Sequence, residues 1–172
     1  PYDDFKEYYM SLGIDHLELQ DDKQVSVWYY DDYSKELDRA GYLKEYRDCT
    51  WNDSLGKVFP FPGPVQWHPD AWVGDHGAHF IEAVSSGEKP QFTWISFSGP
   101  HYPFDAPQEY YGRVNQDGLP SCRRREGELE DAARIHHDSY FGGGHIDGCG
   151  TAPGHACRNY TEDYWKRLQI SY

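Results

Sequence analysis

One methionine and four cysteines stand in a chain of 172 residues. The cysteines, Cys49, Cys122, Cys149 and Cys157, lie 73, 27 and 8 positions apart. Such spacing excludes paired CxxC zinc ligands and a dense disulfide framework. Free thiols are expected, with a Cys149–Cys157 bridge across a glycine-rich loop as the alternative and the redox compartment left open. Positive charge is equally scarce: 16 Lys and Arg face 29 Asp and Glu, for a formal net charge of -13. A field of that sign repels phosphate backbones and anionic lipid, so neither nucleic acid nor membrane is expected as a partner. No stretch approaches the roughly 18–20 uncharged apolar residues of a bilayer span. The opening residues lack the basic and apolar parts of a signal peptide, so a soluble chain is expected. No internal repeat is visible.

What is present is aromatic. Hydrophobic residues make up 38% of the chain and aromatics 17%, including 6 Trp and 15 Tyr. That is enough to build one core, and the length suits one domain rather than two. Residues 24–30 alternate Val25, Val27 and Tyr29, a strand-like pattern. From Tyr33 to Arg47, Leu37, Ala40, Leu43 and Tyr46 recur at three-residue steps behind an acidic start, which predicts one amphipathic helix despite Gly41. The run Phe59-Pro-Phe-Pro-Gly-Pro64 breaks the pattern and reads as a surface connection, because three prolines remove donors and fix φ. Val73, Gly77, Phe80, Ile81 and Val84 then place an apolar stripe on a helix capped by Asp70 and ended by Ser85-Ser-Gly87.

After that helix comes Phe92-Thr-Trp-Ile-Ser-Phe97, the strongest strand signal in the chain. Its near-continuous apolar character predicts a strand covered on both faces, and a helix leading into such a strand predicts an α/β fold. The strand runs into Ser98-Gly-Pro-His-Tyr-Pro-Phe104, a proline-braced loop at the position where open α/β sheets hold ligands. Residues 113–160 are loop-like and glycine-rich, with a charged stretch from Arg123 to Arg134 able to form a short helix. Thr161 to Tyr172 reads as a last helix with Thr161 as cap and Glu162 and Asp163 in its first turn. That helix ends without a C-terminal cap, so the chain is expected to be an excerpt of a longer protein.

Several features occur in a fixed order: His79-Phe-Ile-Glu82 closing a helix, Lys89-Pro90, the strand Phe92–Phe97, then Pro100-His101-x-Pro103-Phe104 and Pro107-x-x-Tyr110. Together they resemble the middle of the catalytic domain of the sulfatase family, in the alkaline-phosphatase-like superfamily. The resemblance covers about residues 66–112 as helix, strand and site loop, and 161–172 as the helix after a variable insertion at 113–160. It implies a partial α/β sulfatase domain, and it gives His101 the part of a histidine that binds a sulfate oxygen or protonates the leaving alkoxide. The chemistry suits imidazole. Charge develops on the bridging oxygen as the S–O bond breaks, so a positioned donor is worth more in the transition state than before it.

The resemblance further implies calcium and a formylglycine made from cysteine or serine within a Cys-x-Pro/Ala-x-Arg motif. No cysteine here fits: Cys122 begins Cys-Arg-Arg-Arg-Glu and Cys149 begins Cys-Gly-Thr-Ala-Pro. Gly74-Asp75-His76-Gly77 mimics the family's metal-binding Asp-His-Gly, yet it lies before the loop and inside a helix, where it reads as surface. Metal ligands are therefore expected to be none. His136, His137, His145 and His155 with Asp138 and Asp147 form a loose cluster that reads as surface histidine, and Arg123-Arg-Arg125 reads as a solvated loop beside Glu126, Glu128 and Glu130. The expected function is thus a sulfuric ester hydrolase acting on a sulfate-ester small molecule or glycan. The isolated chain is expected to be inactive, its remaining partner being the rest of its own domain. A phosphate or phosphonate ester hydrolase and a non-catalytic glycan- or partner-binding module are the alternatives.

Overall fold

A computed structural model describes residues 2–23, 28–52, 58–87, 89–142 and 156–172. The expected strand at 24–30 falls largely outside them, as do residues 143–155 with His145, Cys149 and His155. Helix α1 spans Tyr2–Ser11, α2 Asp32–Arg39, α3 Leu43–Asn52 and α4 Pro69–Val84. Then follow α5 at Gln108–Tyr111, α6 at Arg134–Phe141 and α7 at Glu162–Ser171.

The single helix expected over 33–47 is two. Gly41 adopts φ +86, and the Tyr42 N–H donates to the Leu37 carbonyl at 3.1 Å while the Gly41 N–H donates to that of Asp38 at 2.9 Å. This Schellman closure stops α2 and lets α3 restart at a new angle. The apolar stripe survives the break, since Leu37, Leu43 and Tyr46 are all buried. Asp31 starts α2, its carboxylate accepting from the Ser34 N–H at 2.7 Å. For α4 the cap is His68 rather than Asp70: His68 Nδ1 accepts from the Asp70 N–H at 3.3 Å, and Pro69 takes the first helical position. Residues 126–131 form turns, and the short helix expected within 123–134 begins only at Arg134. Thr161 caps α7 as expected, its Oγ1 accepting from the Tyr164 N–H at 3.2 Å.

The core gathers Tyr33 and Leu37 of α2, Leu43 and Tyr46 of α3, Trp72 and Val73 of α4, and Phe61. Phe61 corrects the expected surface connection, because it is buried with only 4% exposure. Prolines occupy 60, 62 and 64, which leaves the N–H groups of the odd positions free to pair. Phe59 donates to the Phe104 carbonyl at 3.1 Å and Phe61 to that of Ala106 at 3.2 Å, making isolated parallel bridges Val58–Phe104 and Phe61–Pro107.

Those bridges are the extent of β pairing among the described residues, so the α/β expectation is overturned: the described chain is helical, with no sheet. Residues 92–97 form neither helix nor turn, and among the described residues no backbone pairing makes a ladder of them. A strand requires a neighbour, and hydrophobic pattern alone does not supply one. The expected two-sided burial fails with it, since Phe92 is 90% and Trp94 81% exposed, while Ile95 rests against the core.

Candidate functional site

The loop after this segment is held from both sides. The Gly99 N–H donates to Asp70 Oδ1 at 3.0 Å, tying the turn to the first turn of α4, and the His101 N–H donates to the Ser98 carbonyl at 3.0 Å. The Gly99–Pro100 and Tyr102–Pro103 peptides are cis. A Cβ at position 99 would fall 2.3 Å from Asp70 Oδ2, which is why glycine stands there.

His101 is thereby presented outward, its side chain about half exposed at 48%. Nδ1 lies 2.9 Å from the Tyr102 carbonyl oxygen and 3.0 Å from Asp22 Oδ1. Both neighbours are acceptors, so the Nδ1–H tautomer is the one that satisfies the contact. Nε2 has no hydrogen-bond partner among the described residues, which leaves it available to a ligand oxygen. The ring lies against that of Tyr102, with centroids 4.3 Å apart. A concavity of about 430 Å³ opens beside it, lined by Gln20, Asp21, Asp22, Ser96, Ser98 and His101. Its acidic wall opposes anion binding, a consequence that the loop sequence on its own does not show.

Behind the loop lies a buried polar centre that sequence reasoning missed. Asp105, fully buried, accepts from Lys23 Nζ at 2.8 Å, from the Tyr46 hydroxyl, and from His68 Nε2 at 3.4 Å. Burial alone would raise the Asp105 carboxyl, but the His68 hydrogen bond and the Lys23 charge outweigh it and hold the group below its ordinary value. Burial and the Asp105 charge push the Tyr46 hydroxyl well above its ordinary value, so it remains a donor. The one sequence signal was Asp105 itself, set between Pro103 and Pro107; nothing around Lys23 announced a partner 82 positions away. A second concavity of about 440 Å³, touching Lys23, His68, Asp70, Gly99, Pro100 and Tyr110, lies on this side of the turn.

The other sequence candidates are scattered. Asp75 and His76 sit in α4, where Asp75 is exposed beside His79 at 3.5 Å and His76 contacts Glu18 and Glu36. His136 and His137 lie on α6, and Asp138 faces Arg134 at 3.7 Å. Arg124 does not answer the nearby glutamates; it donates to the Cys157 carbonyl at 3.1 Å and covers the rings of Tyr140 and Trp165. Cys49, Cys122 and Cys157 are free thiols, and burial raises the Cys49 and Cys157 thiols, the opposite of an activated nucleophile. Among the described residues no group of three or more His, Cys, Asp or Glu is arranged to hold a metal ion. The residues described therefore do not fit the calcium that the resemblance implies, and no chemistry is routed through it or through formylglycine. No helix among them is long and apolar enough to cross a membrane.

No family model matches the chain, and no curated protein matches it in sequence.

Proposed function

We propose that His101 is the oxyanion-facing histidine of a sulfuric ester hydrolase type of site, and that the 172-residue chain alone does not turn over sulfate esters. The observation that supports this reading is the ring's arrangement: Nδ1 is occupied by the Tyr102 carbonyl and faces Asp22, while Nε2 remains open beside a concavity. A histidine fixed through one nitrogen and open at the other is suited to donate to, or protonate, an ester oxygen. Asp21 and Asp22 weaken the attraction, so the histidine is expected to hold a sulfate group only loosely.

Titration with sodium sulfate, followed by the ring resonances of His101 at constant ionic strength, tests the binding step. Saturable shifts at His101 are expected, lost in His101→Ala and tightened in Asp22→Asn, where one carboxylate charge is gone. Parallel titration with phosphate separates the two oxyanions. Sulfate leaving His101 unmoved defeats the binding role, and hydrolysis of an aryl sulfate by the purified chain defeats the predicted inactivity. The binding-module alternative has its own support in the bare aromatic rings of Phe92 and Trp94.

A further inference from the structure

The concavity beside Lys23, about 440 Å³, falls within the size range of small-molecule sites, and two of its wall residues bring opposite charges to one spot. Lys23 is buried, with 6% of its side chain exposed, and among the described residues Asp105 is its one hydrogen-bond acceptor, at 2.8 Å. An ammonium has three N–H groups, so two remain. Asp70, by contrast, keeps 30% of its side chain exposed. Its Oδ1 is occupied by the Gly99 N–H, whereas Oδ2 takes no hydrogen bond among the described residues: Lys23 Nζ stands 3.9 Å away and His68 Nδ1 4.0 Å. Both separations are too long for one.

The chemistry of the spot selects its occupant. His68 Nδ1 accepts from the Asp70 N–H at 3.3 Å, so that nitrogen carries no proton, and the imidazole that donates through Nε2 to Asp105 is neutral. One ammonium therefore faces two carboxylates. A ligand anion drawn to Lys23 meets Asp70, and a ligand cation drawn to Asp70 meets Lys23. A hydroxyl suits both, because a single oxygen accepts from the ammonium and donates to the carboxylate, and atoms 3.9 Å apart lie within its reach. Water does this equally well, so a ligand has to gain its affinity from the other walls. Those are apolar at Val65, Ala71, Pro100 and Pro107, and aromatic at Tyr110, whose ring carries the Arg113 guanidinium 4.4 Å from its centroid, and at the exposed Tyr172. Hydroxyls set on a ring with apolar C–H faces are what a sugar offers. We propose that this concavity binds one neutral sugar unit, a hydroxyl lying between Lys23 Nζ and Asp70 Oδ2 and a C–H face lying against Tyr110 and Tyr172.

The test is titration of the purified chain with the methyl glycosides of glucose, galactose and mannose, followed by nuclear magnetic resonance at the Lys23 ammonium and the Tyr110 ring. At least one of the three is expected to give saturable shifts at both groups, with half-saturation at about 1–10 mM for a ligand of this size. Asp70→Asn removes the charged acceptor and should weaken that binding at least about tenfold. Tyr110→Ala and Tyr172→Ala lie outside the core and should each weaken it about threefold to tenfold. These two variants decide the matter if Asp70→Asn changes the circular dichroism spectrum. Sodium acetate and methylammonium chloride should leave both groups unmoved at the same concentrations and constant ionic strength. No saturation by any of the three glycosides below about 100 mM, or binding that all the variants leave unchanged, would overturn the proposal. So would saturation by acetate, methylammonium or glycine, which assigns the concavity to a charged ligand. Sulfate binding is read at His101, which lines the other concavity, so either reading can fail without the other.

Discussion

Asp105 is the residue on which most of the site's support converges, because it joins the segment after the loop to α3, to the start of α4 and to Lys23. Removing one member of a buried ion pair leaves the other charge stranded and costs about 3–5 kcal/mol. Asp105→Asn is therefore expected to lower the urea midpoint sharply, an effect that a surface variant such as Asp75→Asn does not show. The pH dependence follows from the depressed carboxyl. A folded value below the unfolded one of about 3.9 means that the stabilisation is present above that value and lost as pH falls through the folded one. The gap between wild type and Asp105→Asn in urea melts should thus be full at pH 6 and close below about pH 4. A gap unchanged at pH 3 would show that Lys23 and His68 do not depend on the carboxylate. The importance of Asp105 could not be read from sequence, since a lone acid between two prolines looks like any loop residue. Its meaning comes from partners 37, 59 and 82 positions away.

At the scale of elements, local signals carried well and non-local ones did not. The cap at Thr161, the α4 body and the buried stripe of Leu37, Leu43 and Tyr46 all follow from contacts within a few residues, which pattern captures. Gly41 is visible in the sequence, but only its positive φ decides that one helix becomes two. Gly41→Ala meets no atom within 4 Å, so its cost is conformational and is expected to be about 1–2 kcal/mol. Gly77 is a different case. A Cβ there falls 2.7 Å from the Ile95 side chain, whereas at Gly74 the nearest atom is 3.7 Å away. Gly77→Ala should lift the segment off α4 and alter Trp94 fluorescence, while Gly74→Ala should leave the fluorescence as it was and raise the melting midpoint, because alanine is favoured over glycine inside a helix by about 0.5–1 kcal/mol. Equal behaviour of the two variants would mean that Ile95 does not anchor the segment. Residues 92–97 failed as a buried strand for the converse reason: their apolar pattern states what they bury well, not what lies beside them.

For the whole molecule, the excess of acid sets a response that no single contact determines. Thirteen uncompensated negative charges on a chain of this size repel one another more strongly when folded than when expanded. Exposed pairs such as Lys44–Asp48 at 2.5 Å offset only a little of this, since a surface ion pair is worth about 0–1 kcal/mol and is itself screened. The Lys23–Asp105 pair is buried and is screened far less. Raising sodium chloride from about 10 mM to about 150 mM shortens the screening length from about 30 Å to about 8 Å, below the span of the molecule but above the reach of a buried pair. Repulsion is therefore removed selectively, and the melting midpoint at pH 7 should climb by several degrees. Potassium chloride should act identically, because the effect is ionic strength rather than ion binding. A midpoint that stays flat or falls would mean that local ion pairs such as Lys6–Asp32, at 3.0 Å, outweigh the global field.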